Sequence, residues 1–273
     1  MTDQTQHSSS IPPQAVPPPG VPPVVKEKPD SLVEMIKTII YAVLLALFIR
    51  SIAFEPFNIP SGSMLPNLLV GDYLFVSKYS YGYSRYSFPF GAAPIQGRWW
   101  PGGEAGGPAR GTIVVFRLPT NPSIDYVKRV IGMPGDRVQV INGRLFINGE
   151  KVEREYVDTY NAMGGYGEQQ VLKRYVETLP GGVKHDIIEL SDEEPLDNTP
   201  VYTVPAGHYF MMGDNRDNSA DSRVMQQVGF VPAENVLGPA RWRFFSINDE
   251  FHIYQPWTWV NGVRWDRLIG SVQ

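Results

Sequence analysis

One apolar run constrains everything else in this 273-residue chain. From Met35 to Phe54 nearly every side chain is apolar, and the uninterrupted core, Ile39 to Ile49, is eleven residues long. A core that short suits the centre of a cleaved signal peptide, and Ser51-Ile52-Ala53 just beyond it is a small-x-small cleavage pattern. Lys37 and Arg50 flank the core, however, and their long stems let both charges reach the interfaces. With them the segment reaches about 20 residues, enough to cross a bilayer as a helix. The preceding thirty residues are rich in proline, unlike a short basic leader. An uncleaved, single-pass anchor is therefore expected over residues 31–54. Lys26, Lys28 and Lys37 precede the span, and the interspersed Glu27, Asp30 and Glu34 count for little, so the N-terminus is assigned to the cytoplasm.

Residues 1–30 are polar and proline-rich, with too little apolar surface to fold, and are expected to be a disordered cytoplasmic tail. No stretch after Phe54 could cross a membrane as a helix, so residues 55–273 are expected to form one soluble body on the outer side. Its partners include membrane lipid by position alone. A net charge of −4 offers no basic footprint for nucleic acid. With no cysteine, disulfides, thiolate nucleophiles and Cys-ligated zinc are excluded. A content of 26 Gly and 25 Pro points to turn-rich β structure rather than a helical bundle.

Just past the apolar run lies Asn58-Ile59-Pro60-Ser61-Gly62-Ser63-Met64-Leu65-Pro66-Asn67-Leu68. Two serines separated by one glycine stand between two prolines that remove backbone donors and fix φ. The segment is either an ordinary turn or a loop that holds a hydroxyl at a defined point. Downstream, Gly71 to Ser77 reads as a turn into a strand, and Gly111 to Arg117 as a buried strand. Asn142-Gly143 joins Val138–Ile141 to Arg144–Ile147 as a hairpin. Residues 80–110 carry many aromatics without periodicity and read as a surface loop or an interfacial aromatic patch. Residues 148–200 are polar and weakly patterned, consistent with a peripheral insertion. Short strands at 201–204, 209–212 and 236–245 complete the body.

On a strand over 124–131, Lys128 shares a mainly apolar face with Ile124, Tyr126 and Val130. Either it is an edge-strand lysine that reaches solvent, or burial lowers its pKa and leaves a neutral amine able to take a proton from serine. A third cluster, Gly213-Asp214-Asn215-Arg216-Asp217-Asn218-Ser219-Ala220-Asp221-Ser222-Arg223, is dense in oxygen ligands. A calcium loop is one reading. The interleaved arginines and the missing EF-hand spacing favour an Asp–Arg network that props up a site. The chain has no Gly-x-Ser-x-Gly elbow, no His-Glu-x-x-His and no Ser-x-x-Lys. His185, His208 and His252 are scattered and read as structural, although a Ser-His-Asp triad assembles in space and stays open.

The anchor, Pro60-Ser61-Gly62-Ser63-Met64-Leu65-Pro66, Gly71-Asp72-Tyr73, Asp125 to Arg129 with Gly132 to Asp136, and the cluster 213–223 occur in an order that resembles the bacterial signal peptidase I (leader peptidase) family. The resemblance covers residues 55 to about 240. It implies a fold that is mainly β: an N-terminal transmembrane helix followed by a large, mostly antiparallel β catalytic domain with a peripheral insertion at about 148–200. It also implies a serine endopeptidase in the cytoplasmic membrane, with no cofactor or metal, that cuts signal peptides from preproteins near the export translocon. Residue by residue, Ser63 matches the nucleophile and Lys128 the general base. Ser61, with the backbone N–H of Ser63, matches the oxyanion hole, and Ser219 the hydroxyl that orients the lysine. Asp221, Arg223 and Arg129 match supporting charges, with Asp214 and Arg216 in the same box. The rival from another class is a tethered β-rich binding module in which Ser63 and Lys128 are structural.

Overall fold

The computed structural model describes residues 32–88, 97–99, 107–163 and 168–272. The expected tail, and Phe90 and Trp100 of the aromatic stretch, lie outside the described residues.

Leu32–Ile52 forms one α-helix with a mean hydropathy of 2.2 over its most apolar window, and none of its residues is buried by protein. A helix this apolar, with none of its residues buried, needs an apolar solvent. Glu34 in its first turn and Arg50 in its last both complement the helix dipole. The helix is long and apolar enough to cross a membrane, and it falls within the expected 31–54.

The described residues after Ala53 form mostly antiparallel β structure. The main sheet has eight strands: Phe54–Asn58, Asp72–Ser77, Val236–Ser246, Ile113–Leu118, Asn121–Gly132, His208–Met212 and Val231–Pro232 in spatial order, with Gly270–Ser271 on the third. Ile113–Leu118 is an almost unbroken apolar run because both its faces are covered. Val114, Phe116, Val130 and Met211 pack on one side of the central strands, while Ile131, Val138, Leu145 and Phe210 make a second core beneath the hairpin. Asn142 and Gly143 sit at φ 47° and 69°, the left-handed pair that a two-residue hairpin turn requires.

Two segments differ from their sequence reading. Residues 148–200 contain a three-stranded antiparallel sheet, Glu153–Met163, Gln169–Thr178 and Lys184–Glu189. Its exposed positions mix charged, polar and apolar side chains, which hides the period of two. In the stretch 80–110, Tyr81 and Tyr83 are core residues rather than surface aromatics, whereas Trp99 is 58% exposed.

The last residues return to the serine loop. Asp72, fully buried, accepts hydrogen bonds from Ser246 Oγ (2.6 Å), Leu69 N–H (2.9 Å) and Arg267 Nη2 (2.6 Å). Removing one partner of a buried carboxylate leaves charge uncompensated. Arg267→Ala is expected to lower stability by about 2 kcal/mol, since the arginine is only partly buried, and Arg267→Lys to recover part of that. Denaturant midpoints of the three proteins measure it.

Candidate active site

The serine loop is held in place by its apolar residues. Ile59, Met64 and Leu68 are buried with Leu74, Ile113 and Ala240, so the loop is nailed into the core at three points. Gly62–Met64 is one 3-10 turn, and the Leu65–Pro66 peptide is cis. Polar contacts then bolt the loop to the cluster at 213–223. Asn215 donates from its backbone to Ser63 C=O and from its side chain to Gly62 C=O, both at 3.1 Å. Asn67 Nδ2 donates to Asp214 Oδ2 at 2.7 Å and to Asp186 C=O at 2.8 Å.

Lys128 comes from the long strand Asn121–Gly132; it pairs with Val114 on one side, and His208–Met212 begins to pair on the other side at the next residue, Arg129. Its side chain is buried, and Nζ lies 2.5 Å from Ser63 Oγ. Either an ammonium donates to the hydroxyl oxygen or the hydroxyl donates to a neutral amine. Burial pushes the lysine down to about 8; Asp221 and Asp214 oppose that shift and Arg223 adds to it. The edge-strand alternative, a lysine that reaches solvent, does not hold. Ser61 is exposed at the mouth of the site, its Oγ 3.4 Å from Ser63 Oγ.

The cluster at 213–223 is a set of matched charges. Arg129 binds Asp214 through two nitrogens, each at 2.8 Å, and Arg223 binds Asp221 in the same bidentate way at 2.9 Å. Burial alone would raise both carboxyls, but the facing guanidinium holds each below its usual range. Against the calcium reading, arginine donors occupy Asp214 and Asp221, Leu190 N–H donates to one oxygen of Asp217 at 2.6 Å, and among the described residues no three acidic or histidine side chains gather as a metal ion would need. Arg216 does not reach the serine or the lysine. It pairs with Glu177 of the three-stranded sheet, at 2.5 and 2.9 Å, and its carbonyl accepts from Arg223. Ser219 is buried, and its hydroxyl makes no hydrogen bond of ordinary geometry with the described residues. A Cβ on Gly213 would stand 2.2 Å from Ser219 Oγ and 2.5 Å from Ser63 C=O, so glycine alone lets these chains close up.

A cleft of about 540 Å³ opens over the serine and the lysine. Residues 57–64 line one side, 124–128 the other, with Asn218 and Ala220 between. Residues 32–245 match the family model described as signal peptidase, peptidase S26. The chain belongs to that family. Signal peptidase I of Rickettsia typhi is 42% identical over 240 residues, covering 85% of this chain and 82% of that protein. Signal peptidase I of Rickettsia akari is 43% identical over 249 residues, covering 85% and 90%. A signal peptidase I of Enterococcus faecalis, known from its crystal structure, is 27% identical, covers 48% of this chain and 95% of that one, and has a TM-score of 0.28.

The peptidase S26 match ends at residue 245, so Arg267 lies beyond it. Within it, sequence reasoning missed Asn67 and Glu177, which brace the serine loop and the charged cluster. Asn67 follows Pro66 in a turn that any polar residue could occupy, and Glu177 lies in the weakly patterned insertion. His185 is buried with Nε2 3.4 Å from Glu177 and 3.9 Å from Asp214, and burial, then Arg129, pushes it down to about 4. It is neutral near pH 7 and its contacts run to these carboxylates rather than to Ser63.

A lysine held near 8 opposes folding wherever the unfolded chain, near 10.5, would bind that proton. The penalty is full below pH 8 and vanishes as pH rises through 10.5. Lys128→Met is therefore expected to stabilise the protein by about 1–3 kcal/mol at pH 6, with a smaller gain at pH 9. Unfolding curves at the two pH values test both the sign and the trend.

Proposed function

We propose that this chain is a membrane-anchored serine endopeptidase that removes N-terminal signal peptides from exported preproteins by cutting after a small-x-small site. Ser63 is the nucleophile and neutral Lys128 the general base. The observation that carries this reading is the 2.5 Å approach of a buried lysine nitrogen to a serine hydroxyl at the floor of an open cleft. Family membership supports the same reaction class.

The chemistry follows from those two atoms. Neutral Nζ takes the hydroxyl proton while Oγ attacks the scissile carbonyl, and the ammonium then returns the proton to the leaving amine. Water, deprotonated by the same amine, hydrolyses the acyl ester. The developing oxyanion is received by Ser61 Oγ and the backbone N–H of Ser63. Ser219, the hydroxyl that the resemblance assigns to orienting the lysine, stands against the serine loop without a hydrogen bond to Nζ; Arg129, Asp214, Asp221, Arg223 and Arg216 hold the walls and fix the local charge. The cleft suits an extended peptide. Among the described residues, Phe54–Asn58 is an outer strand paired on one edge, and residues 121–127 pair on one side only, with 113–118. A substrate strand can add to such edges, with small side chains where it passes the serine loop. The catalytic body works on the outer side of the cytoplasmic membrane, where lipid, signal peptides and the export translocon meet.

Purified wild type, Ser63→Ala and Lys128→Met are to be incubated in detergent with a preprotein carrying an Ala-x-Ala site, and the product N-terminus mapped. Wild type is expected to cut directly after that site and both folded variants to be inactive. Activity that survives in either variant removes the proposed pair. Ser61→Ala is expected to lower the rate by about 10²–10³ without abolishing it. The rate in wild type should rise about tenfold per pH unit below 8 and level off above it, because only the neutral lysine accepts the proton.

A further inference from the structure

The serine loop is anchored in the core by Ile59, Met64 and Leu68, but part of the wall around them comes from far along the chain. Val272, half-buried, packs on the cluster that those three form with Leu74, Ile113 and Ala240. It lies beyond residue 245, where the peptidase S26 match ends. The main sheet explains why a wall is needed there. Strand Val236–Ser246 pairs on one side with Asp72–Ser77 along residues 240–246, and on the other with Ile113–Leu118 along residues 236–239 only. Past Pro239 the two strands part, and among the described residues Gly270–Ser271 takes up that second side, opposite Arg243 and Trp242. Val272 N–H then donates to Arg241 C=O at 2.9 Å, with its side chain against the cluster at the split. A cavity of about 630 Å³ reaches the same point, with Ile113, Ala240 and Val272 in its lining. Val272 therefore stands between that cavity and the core beneath the serine loop.

The approach to Val272 is held at both ends. Arg243 Nε donates to Arg267 C=O at 2.6 Å, and the Arg267 side chain reaches Asp72. Between that tie and the strand, Ile269 sits at φ 51°, a left-handed backbone that a β-branched residue rarely adopts. Its side chain is 87% exposed, so packing of the isoleucine does not account for the conformation. Strain of this kind persists where the surroundings over-determine it, here the Arg267 contacts before it and the strand pairing after it. We propose that residues 267–272 are a strap and that Val272 at its end is a positioning residue for Ser63, acting through Ile59, Met64 and Leu68. The proposal rests on Ser63 being the nucleophile of the function proposed above. Val272 does not line the cleft, so its effect is indirect. The catalytic pair has little slack to absorb it: Ser63 Oγ lies 2.5 Å from Lys128 Nζ, and a shift of about 1 Å in the loop opens that contact.

The test compares full-length wild type, Val272→Ala, Val272→Asp and Val272→Ile in detergent, with an Ala-x-Ala preprotein as substrate. Val272→Ala trims a half-buried side chain and leaves the fold intact. It is expected to lower kcat about tenfold with KM within about twofold, since the cleft walls are untouched. Val272→Asp sets a carboxylate against apolar side chains and is expected to lower kcat about a hundredfold, whereas Val272→Ile should keep the wild-type value. Water admitted beside Lys128 lessens its desolvation, so in Val272→Asp the pH at which the rate levels off should rise above about 8. Hydrogen exchange reads the loop without any turnover. Leu68 N–H, bonded to Met64 C=O, and Asn215 N–H, bonded to Ser63 C=O, should exchange about tenfold faster in Val272→Ala, while the 138–147 hairpin keeps its wild-type rates. Variants with a lower denaturant midpoint but wild-type kcat, pH profile and loop exchange give Val272 a stabilising role only and overturn the proposal. If wild type leaves the preprotein uncut, the peptidase reading fails, and loop exchange alone decides whether the strap holds the serine loop.

Discussion

The burial of one lysine against one serine is the constraint on which the rest of this structure depends. An ammonium in a dry site is costly, so the fold must supply both the dryness and a reason for the group to remain. Dryness comes from the burial of Lys128 on a strand paired with Val114 at its own level and with His208–Met212 from Arg129 on, with Met64 and Tyr126 nearby at the cleft. The reason to remain is Ser63 Oγ, which gives the nitrogen a hydrogen-bond partner in either protonation state. A histidine would need less perturbation to act as a base near neutrality. Lysine demands more from its surroundings, and the surroundings here are correspondingly elaborate.

That elaboration is largely charge matching. Around the lysine, Asp214 has Arg129 and Asp221 has Arg223; farther out, Glu177 has Arg216. Such buried pairs add little stability for what they cost to desolvate, but each holds two chain segments in one geometry. Asp214 ties the lysine strand to the serine loop through Arg129 and Asn67. Arg216 ties the cluster to the three-stranded sheet. With these pairs internally neutral, Lys128 has no carboxylate in direct contact among the described residues, and burial carries its pKa toward neutrality.

What the sequence made legible follows from how local each signal is. The anchor, the Asn142-Gly143 hairpin and the central strand Ile113–Leu118 are written in contiguous residues, and they appear where the pattern put them. The serine loop and the 213–223 cluster were visible as unusual stretches, but their meeting was not, because Asn215 and Ser63 are far apart in the chain. The strands inside the insertion were not legible for a different reason. Strands such as Glu153–Met163 expose most of both faces, so no apolar alternation marks them. Tyr81 and Tyr83 misled for a related one: an aromatic side chain in a loop is apolar enough for either a core or an interface, and only the tertiary contacts decide. Glu177 and Asn67 gave no local signal at all, since their partners come from other segments.

The short strand Phe54–Asn58 joins these themes. It begins where the apolar helix ends, forms one edge of the cleft and leads within five residues to Ser63. Ten residues separate Ala53 from the serine, a reach of at most about 35 Å even if fully extended. On the proposed reading, the helix therefore does more than retain the protein at a membrane. It limits the height at which the cleft can stand above the bilayer, and with it which peptides can enter. A peptide whose own apolar run ends at the interface brings its next few residues into that range, whereas a loop on a folded domain farther out does not. On the proposed reading, membrane tethering contributes to selectivity alongside the shape of the cleft, because it restricts the substrates presented before any side chain is read.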